Sequence, residues 1–327
     1  MAVFTQVKLE EASAFARLYF KEPRIARLEP VSAGIENTNY FVDIEVDGQL
    51  TPWVLTLFES LPISDLTPVV GLMTHLACAG LPVPAPVASL AGKTIGECQN
   101  KPAAWVPRIP GRSLPRPGES ECFEIGTVLA KIHLQGLDCP THRPVVRNLA
   151  WLKATFQRLA PHLPAEIKKD LTQELEVHAA GDAHLAPLPK GWGHQDLFRD
   201  NVLFDQGRIS GIIDFYHACE DAWLLDLAIT LNDWCIHPDF SYDLPRMRAV
   251  LSGYQNVRSL SDSEKELLVL ALRRAAFRFW MSRLQTRYGQ GYQASVTWGV
   301  VDKDPVEMYR LIVAATGLSK KDIAQLV

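Results

Sequence analysis

Residues 193–214 read GHQDLFRDNVLFDQGRISGIID. Two apolar runs, Val202-Leu203-Phe204 and Ile209 to Ile213, flank the turn Asp205-Gln206-Gly207, which is the pattern of a β-hairpin. A hairpin brings the residue before its first strand close to the residue after its second. Those residues are Asn201 and Asp214, both carrying hard oxygen atoms that suit Mg²⁺. Taken singly, Asn201 reads equally well as a capping amide and Asp214 as a turn carboxylate.

The polar residues ahead of the hairpin complete a constellation. His194, Asp196 and Asn201 stand in the order His-x-Asp-x-x-x-x-Asn, with Asp214 beyond the second strand. This matches a known phosphoryl-transfer signature, in which one carboxylate positions the attacking hydroxyl. An amide and a second carboxylate hold Mg²⁺ on the nucleotide phosphates. Ordinary hairpin capping explains any one of these residues but not the type and order of all of them.

The chain has 327 residues, enough for one large domain or two lobes. With 47% apolar residues it can bury a sizeable core. A net charge of −4 and no long basic run argue against a surface that tracks nucleic-acid phosphates. No apolar run approaches the length of a membrane span. The N-terminal MAVFTQVKLEEASAF has acids where a secretory leader is basic and then apolar. A cytoplasmic protein without nucleic-acid or membrane partners is expected. None of the six cysteines forms a C-x-x-C pair, so reduced, mostly buried thiols are expected rather than zinc ligands or disulfides. The nine histidines show no metal-ligand spacing.

Apolar spacing predicts a helix over 7–20. The short polar segment Ser32 to Asn39, with one Gly, leads into strands 39–46 and 53–58 joined at Asp47-Gly48. Such a bend can offer backbone N–H groups to phosphates, although many hairpins have one. A helix over 64–79 takes Ser64 as N-cap and Gly80 as its stop, with Pro68 in its first turns. Extended pieces around Ala91-Gly92 precede a strand over 101–109, which Pro110-Gly111 ends. The boundary near residue 110 gives an N-terminal nucleotide-binding lobe, 1–110, and a C-terminal catalytic and substrate lobe, 111–327. Helices follow at 119–136, 148–160, 164–180, 221–236, 243–256, 262–287 and 304–316. Strands early and helices late, with one embedded hairpin, predict an α+β fold of two lobes.

With these residues placed, the chain resembles, over nearly its whole length, the aminoglycoside phosphotransferase and choline kinase superfamily, which shares the protein-kinase-like fold. GHQDLFRDNVLFD looks like that family's catalytic loop and IIDFYHACEDAWLLDLA like its metal-binding segment. The strings SAGIENTNYFV, WVLTLFE, HLACAGLPVPAPV, LNDWC and FRFWMSRL look most like the homoserine kinases of this fold. The resemblance implies ATP-dependent phosphorylation of the side-chain hydroxyl of L-homoserine, in threonine biosynthesis, with ATP and Mg²⁺ as cofactors. Asp196 would be the base or hydroxyl-orienting carboxylate, and Asn201 and Asp214 would bind Mg²⁺. Ser32 to Asn37, Gly34 included, would cover the nucleotide phosphates. Trp105, Val106 and on to Ile109 would form the hinge whose backbone meets adenine. His194 and Asp226 would be structural.

A homoserine pocket must pair a carboxylate, for which an Arg fork is suited, and an ammonium, for which an acid is suited. The candidates are Arg199 and Asp200, Asp233 and Trp234, and Arg278 and Arg283. A solvated helix face is the alternative for Arg278 and Arg283, and core packing for Trp234 and Trp280. Two departures stand out. Thr56 replaces the usual strand Lys, and residues 64–79 hold no Glu to pair with one, so both halves of an ion pair are missing together. Tyr216 stands where protein kinases have Gly. The alternatives are a kinase of another small hydroxyl compound (choline, methylthioribose or an aminoglycoside) and a non-catalytic nucleotide-binding protein. A mixture of Arg, Trp and acids favours a small zwitterion over a polycation, which would want a broad acidic surface.

Overall fold

The computed structural model describes residues 4–31, 36–289 and 303–326. The chain divides into two compact units between Pro110 and Gly111.

The first unit is built on an antiparallel sheet of β1 (Arg24–Pro30), β2 (Thr38–Val46), β3 (Gln49–Leu57), β4 (Gly96–Cys98) and β5 (Lys101–Pro107), in the order β1-β2-β3-β5-β4. Alternation in β2 sends Tyr40, Val42 and Ile44 into the core. The turn to β3 uses Asp47 at φ 51 and Gly48 at φ 76, the left-handed pair that a tight hairpin requires. Helix α1 (Leu9–Ala16) buries Ala12, Phe15 and Ala16 in the same core, which also holds Leu55, Leu57 and Trp105. Strand β1 escaped the sequence reading because it is an edge strand with most side chains exposed, which blurs its alternation. Helix α2 (Ile63–Cys78) is capped by Pro62, not Ser64, whose hydroxyl bonds Asp65 instead. Gly80, at φ 81, follows its C-cap, as a left-handed stop should.

The second unit is mostly helical: α3 (Glu119–Gln135), α4 (Leu149–Leu159), α5 (Ala165–Leu185), α6 (Trp223–Trp234), α7 (Leu244–Gln255), α8 (Asp262–Glu266), α9 (Leu268–Tyr288), α10 (Pro305–Gly317) and α11 (Lys320–Leu326). Two small ladders interrupt it. Strand β6 (Lys190–Gly193) pairs with β9 (Cys219–Ala222), and β7 (Val202–Asp205) with β8 (Arg208–Ile212). The structure differs from expectation at several element boundaries in this unit, α5 running on to Leu185 among them. Residues 221–222 belong to β9, so α6 starts at Trp223. The expected helix 262–287 breaks at Leu267, whose ψ is 3. Helix α11 is additional.

Ten of the twelve α6 residues are buried, the polar Asp226, Thr230 and Asn232 among them. Helices α3 and α7 cross closely: a Cβ on Gly126 would meet Val250 O at 2.0 Å, and one on Gly253 would meet Phe123 O at 2.0 Å. All six cysteines are free thiols, five of them buried and Cys78 exposed. Among the described residues no helix is long and apolar enough to cross a membrane.

Candidate active site

Strand β6 delivers the chain to His194, and a short 3₁₀ turn at Arg199–Asn201 starts β7. His194 is fully buried. Its Nδ1 accepts the Asp196 N–H at 3.3 Å and its Nε2 faces the Ile213 carbonyl at 3.0 Å, so the proton sits on Nε2. Burial pulls its pKa down to about 4. A neutral ring with both nitrogens engaged braces the loop.

Asp226, at the start of α6, is the anchor beneath. Its carboxylate accepts the backbone N–H groups of His194 and Gln195, both at 2.7 Å, and meets His133 Nε2 at 3.0 Å. Burial alone would raise its pKa, but the hydrogen bond from the His133 ring, with the backbone donors, holds it below the usual carboxylate range. His133 is kept neutral chiefly by burial. Its Nδ1 meets the Tyr254 hydroxyl at 2.7 Å, and its ring stacks on Trp223. His133 was absent from the sequence reading. The only signal was a lone histidine on the apolar face of α3, where an ordinary core residue is equally expected.

Asn201 Nδ2 donates to Asp196 O at 2.8 Å and to Asp196 Oδ2 at 3.1 Å. The amide therefore orients the half-buried Asp196 carboxylate through its Nδ2, and its Oδ1 is the atom that could take a cation. Ile213 N–H donates to Asn201 O at 2.9 Å, closing the foot of the hairpin. Asp214 follows at φ 63, a left-handed conformation that Asp tolerates better than most residues. An amide oxygen and a carboxylate fit Mg²⁺, which keeps several waters and takes further oxygens from phosphates.

Beside this loop lies a cavity of about 500 Å³. Phe198, Arg199 and Asp200 line it from the loop, Asp233 from α6, Phe279 and Arg283 from α9, and Lys303 and Glu307 from the α10 side. Arg199 binds Asp233 through its backbone N–H at 2.6 Å and its Nε at 3.0 Å, and reaches Pro115 O at 2.7 Å. Arg283 meets Glu307 at 2.7 Å, and Lys303 meets Asp200 at 3.7 Å. The lining thus pairs three cations with three carboxylates. Of the acceptor candidates, Arg199, Asp200, Asp233 and Arg283 come together here. Trp234 and Arg278 do not line the cavity. Trp234 is fully buried and donates Nε1–H to Leu197 O at 3.0 Å. Arg278 reaches under the loop to Gln195. Lys303 and Glu307 went unnoticed in the sequence, being more than one hundred residues beyond the loop.

In the first unit, Asn37 is buried, while Ser32 and Gly34 lie outside the described residues. Trp105 is a core residue whose carbonyl accepts the Val87 N–H at 2.9 Å. Val106 pairs with Val54, and Ile109 lies past the end of β5. Thr56 is buried, and its hydroxyl donates to Asn39 Oδ1 at 2.7 Å. A neutral hydrogen bond thus stands at the strand position where kinases carry Lys.

A family model described as "Phosphotransferase enzyme family" matches residues 27–260. The homoserine kinase of Polaromonas naphthalenivorans is 42% identical over 287 residues, covering 87% of this chain and 89% of the relative. That of Methylobacillus flagellatus is 42% identical over 288 residues, covering 88% of each. Among solved structures, an amicoumacin kinase in complex with AMP-PNP, Ca²⁺ and Ami superposes with a TM-score of 0.73 at 15% identity, covering 98% of both chains. A GDP complex of an aminoglycoside 2'-phosphotransferase-IIIa mutant gives 0.63 at 16% identity, covering 95% of this chain and 97% of the other. At such identities the structures establish the fold, which is the kinase-like α+β fold expected from the sequence.

Proposed function

The chain belongs to the phosphotransferase enzyme family, and we propose that it transfers the γ-phosphoryl group of ATP to the side-chain hydroxyl of L-homoserine, releasing O-phospho-L-homoserine and ADP. The observation that carries this reading is the charge-balanced cavity sharing Phe198, Arg199 and Asp200 with the catalytic loop. Among the described residues it offers three charges of each sign, which complements a zwitterion; a polycationic aminoglycoside would want surplus carboxylates. It has room for an amino acid, and the relatives named above are homoserine kinases. Arg283 is suited to the substrate carboxylate through its fork, and Asp233 and Glu307 to the ammonium.

In the reaction the homoserine oxygen forms a bond to the γ-phosphorus, and the bond from that phosphorus to the β,γ-bridging oxygen breaks. Asp196 accepts the hydrogen bond of the attacking hydroxyl and takes its proton. Asn201 keeps that carboxylate aimed, and the neutral His194 keeps the backbone beneath it in place. Asn201 Oδ1 and Asp214 would hold Mg²⁺, which when bound offsets charge on the phosphates. In the strand-rich unit, residues 32–37 would cover the phosphates and the backbone of 105–109 would meet adenine. The partners are then small molecules, and the setting the cytoplasm.

The test is an ADP-release panel of L-homoserine, L-serine, L-threonine, choline, methylthioribose and kanamycin, with products identified by mass spectrometry. L-Homoserine should show the highest kcat/KM. Serine's shorter arm leaves its hydroxyl short of the phosphorus, and choline lacks the carboxylate for Arg283 to bind. A different leading compound refutes the acceptor. ATP binding with no phosphorylated product from any compound refutes the enzymatic reading.

A further inference from the structure

We infer that Arg278 is a positioning residue of the phosphoryl-transfer site: its guanidinium clamps the peptide group between Gln195 and Asp196 and so sets the aim of the Asp196 carboxylate. The inference rests on the reaction proposed above.

Arg278 projects from α9, 83 residues from the loop it touches. Its Nη2 donates to the Gln195 carbonyl, and its Nη1 lies 3.4 Å from Gln195 Oε1. The other atoms of this stretch are held from different directions. The Gln195 N–H donates to Asp226 Oδ1 at 2.7 Å, and the Asp196 N–H donates to His194 Nδ1 at 3.3 Å. Asp196 O accepts from Asn201 Nδ2 at 2.8 Å. The peptide unit that precedes the catalytic carboxylate is therefore pinned at its oxygen by Arg278 and at its nitrogen by His194.

The clamp answers a specific need. Gln195 sits at φ 63, a left-handed conformation that non-glycine residues hold only when their surroundings impose it. A loop free to relax there would swing the following carboxylate. Packing does not explain an arginine at this place. The residue is 8% exposed, and a guanidinium is costly to bury unless its charge finds partners. Burial first and the Arg147 charge next work against the cation and lower its pKa, while the carboxylates of Asp196 and Asp221 act on it favourably. The cation thus stands close enough to the catalytic carboxylate to interact with it, without lining the cavity. Its neighbour Phe279, which does line the cavity, packs at a tilt against Phe198 with ring centres 4.8 Å apart. Contact with the acceptor falls to Phe279 and Arg283, and support of the loop to Arg278.

Two variants test this. Arg278→Met keeps an unbranched apolar stem and removes the donors; Arg278→Lys keeps the charge on a single donor nitrogen. Folded enzyme is counted by nucleotide-binding stoichiometry. Arg278→Met should lower kcat per folded enzyme about 100-fold, the loss expected of a carboxylate displaced by roughly an ångström. KM for ATP and for homoserine should stay within about threefold, because ground-state binding is untouched. Selectivity for homoserine over 3-aminopropan-1-ol, which keeps the ammonium and hydroxyl but lacks the carboxylate, should not change. Arg278→Lys should recover activity about tenfold over Met, since one charged donor remains. A collapse of that selectivity with a raised homoserine KM would make Arg278 a carboxylate-binding residue and overturn the inference. Amide hydrogen exchange of the peptide spanning 193–201 decides the clamp with no acceptor present. Exchange should quicken in Arg278→Met, and an unchanged rate refutes the clamp. Inactivity of the wild-type protein towards homoserine would instead refute the proposed reaction, with the exchange experiment still decisive for Arg278.

Discussion

Replacing Asp226 with Asn keeps its shape and removes its charge. In the native protein this carboxylate, fully buried, accepts two backbone N–H groups at 2.7 Å and faces His133 Nε2 at 3.0 Å. All three partners are donors. The Asn side chain has one accepting oxygen, and its NH₂ must face a donor, so at least one buried N–H is orphaned. An orphaned buried donor costs about 1–3 kcal/mol, and each hydrogen bond to a charged group contributes about 1.5–3 kcal/mol. A loss of about 3–5 kcal/mol follows, the range found when a buried charged network loses one member. The catalytic loop should suffer as well, because Asp226 holds the backbone just ahead of Asp196; kcat per folded protein should fall about 100-fold. Urea unfolding followed by far-UV circular dichroism gives the first number, and turnover corrected for folded fraction gives the second. A variant that loses less than about 1 kcal/mol and turns over normally would refute the reasoning that this carboxylate anchors the loop.

Asp196→Asn should cut kcat by orders of magnitude with nucleotide binding largely intact, because the orienting carboxylate alone is lost; calorimetric titration beside turnover checks both. Asp214→Ala should weaken nucleotide binding in Mg²⁺ far more than binding without metal, and equal losses in the two titrations would show that Asp214 is no ligand. Gly193→Ala should destabilise the second unit, because its Cβ would lie 2.6 Å from Asp226 Oδ2 and 3.0 Å from Gln195 Nε2; a melting temperature equal to wild type would contradict that crowding. Stability should fall on acidification before the carboxylates titrate. His194 has its pKa pulled to about 4 by burial, against about 6.5 in the unfolded chain. Between those values only the unfolded chain takes up the proton, so stability drops as pH falls through that window, by about 1.4 kcal/mol per unit, and levels off below it. His178, lowered to about 3 by burial and by Arg274 and Arg273, acts with the same sign. Urea midpoints measured from about pH 7 down to about pH 5 should show the decline, and a flat profile would count against neutral buried rings.

The loop and hairpin were legible because their chemistry is local. His194, Asp196, Asn201 and Asp214 lie within one short stretch, and the apolar runs with a Gln206-Gly207 turn leave the backbone few options. What supports the loop was not legible, because it arrives from elsewhere in the chain. His133 lies 93 residues before Asp226, and nothing about a lone histidine on an apolar helix face announces an acceptor across the core. Errors in the elements have the same origin. The edge strand β1 has too little burial to alternate, and β9 was read as the start of α6 because its pairing partner, β6, is remote in sequence. Ser64 looked like a cap by type alone, while the backbone turned into the helix at Pro62.

Helix α9 shows where periodicity stops being informative. Phe279 and Arg283 are four residues apart and share a face, and both line the cavity. Arg278 is one residue earlier, turned by about 100° around the helix axis, and goes beneath the loop to Gln195. Spacing alone separates these faces. It does not say which face meets the acceptor and which meets the backbone, since a guanidinium suits a substrate carboxylate and a peptide carbonyl equally well. The choice is made by the packing of α9 against α6 and by the left-handed turn at Gln195, which leaves a carbonyl that needs a donor. Two arginines that read alike in FRFWMSRL therefore take different tasks: Arg283 is placed where loss should raise the homoserine KM, and Arg278 where loss should lower kcat.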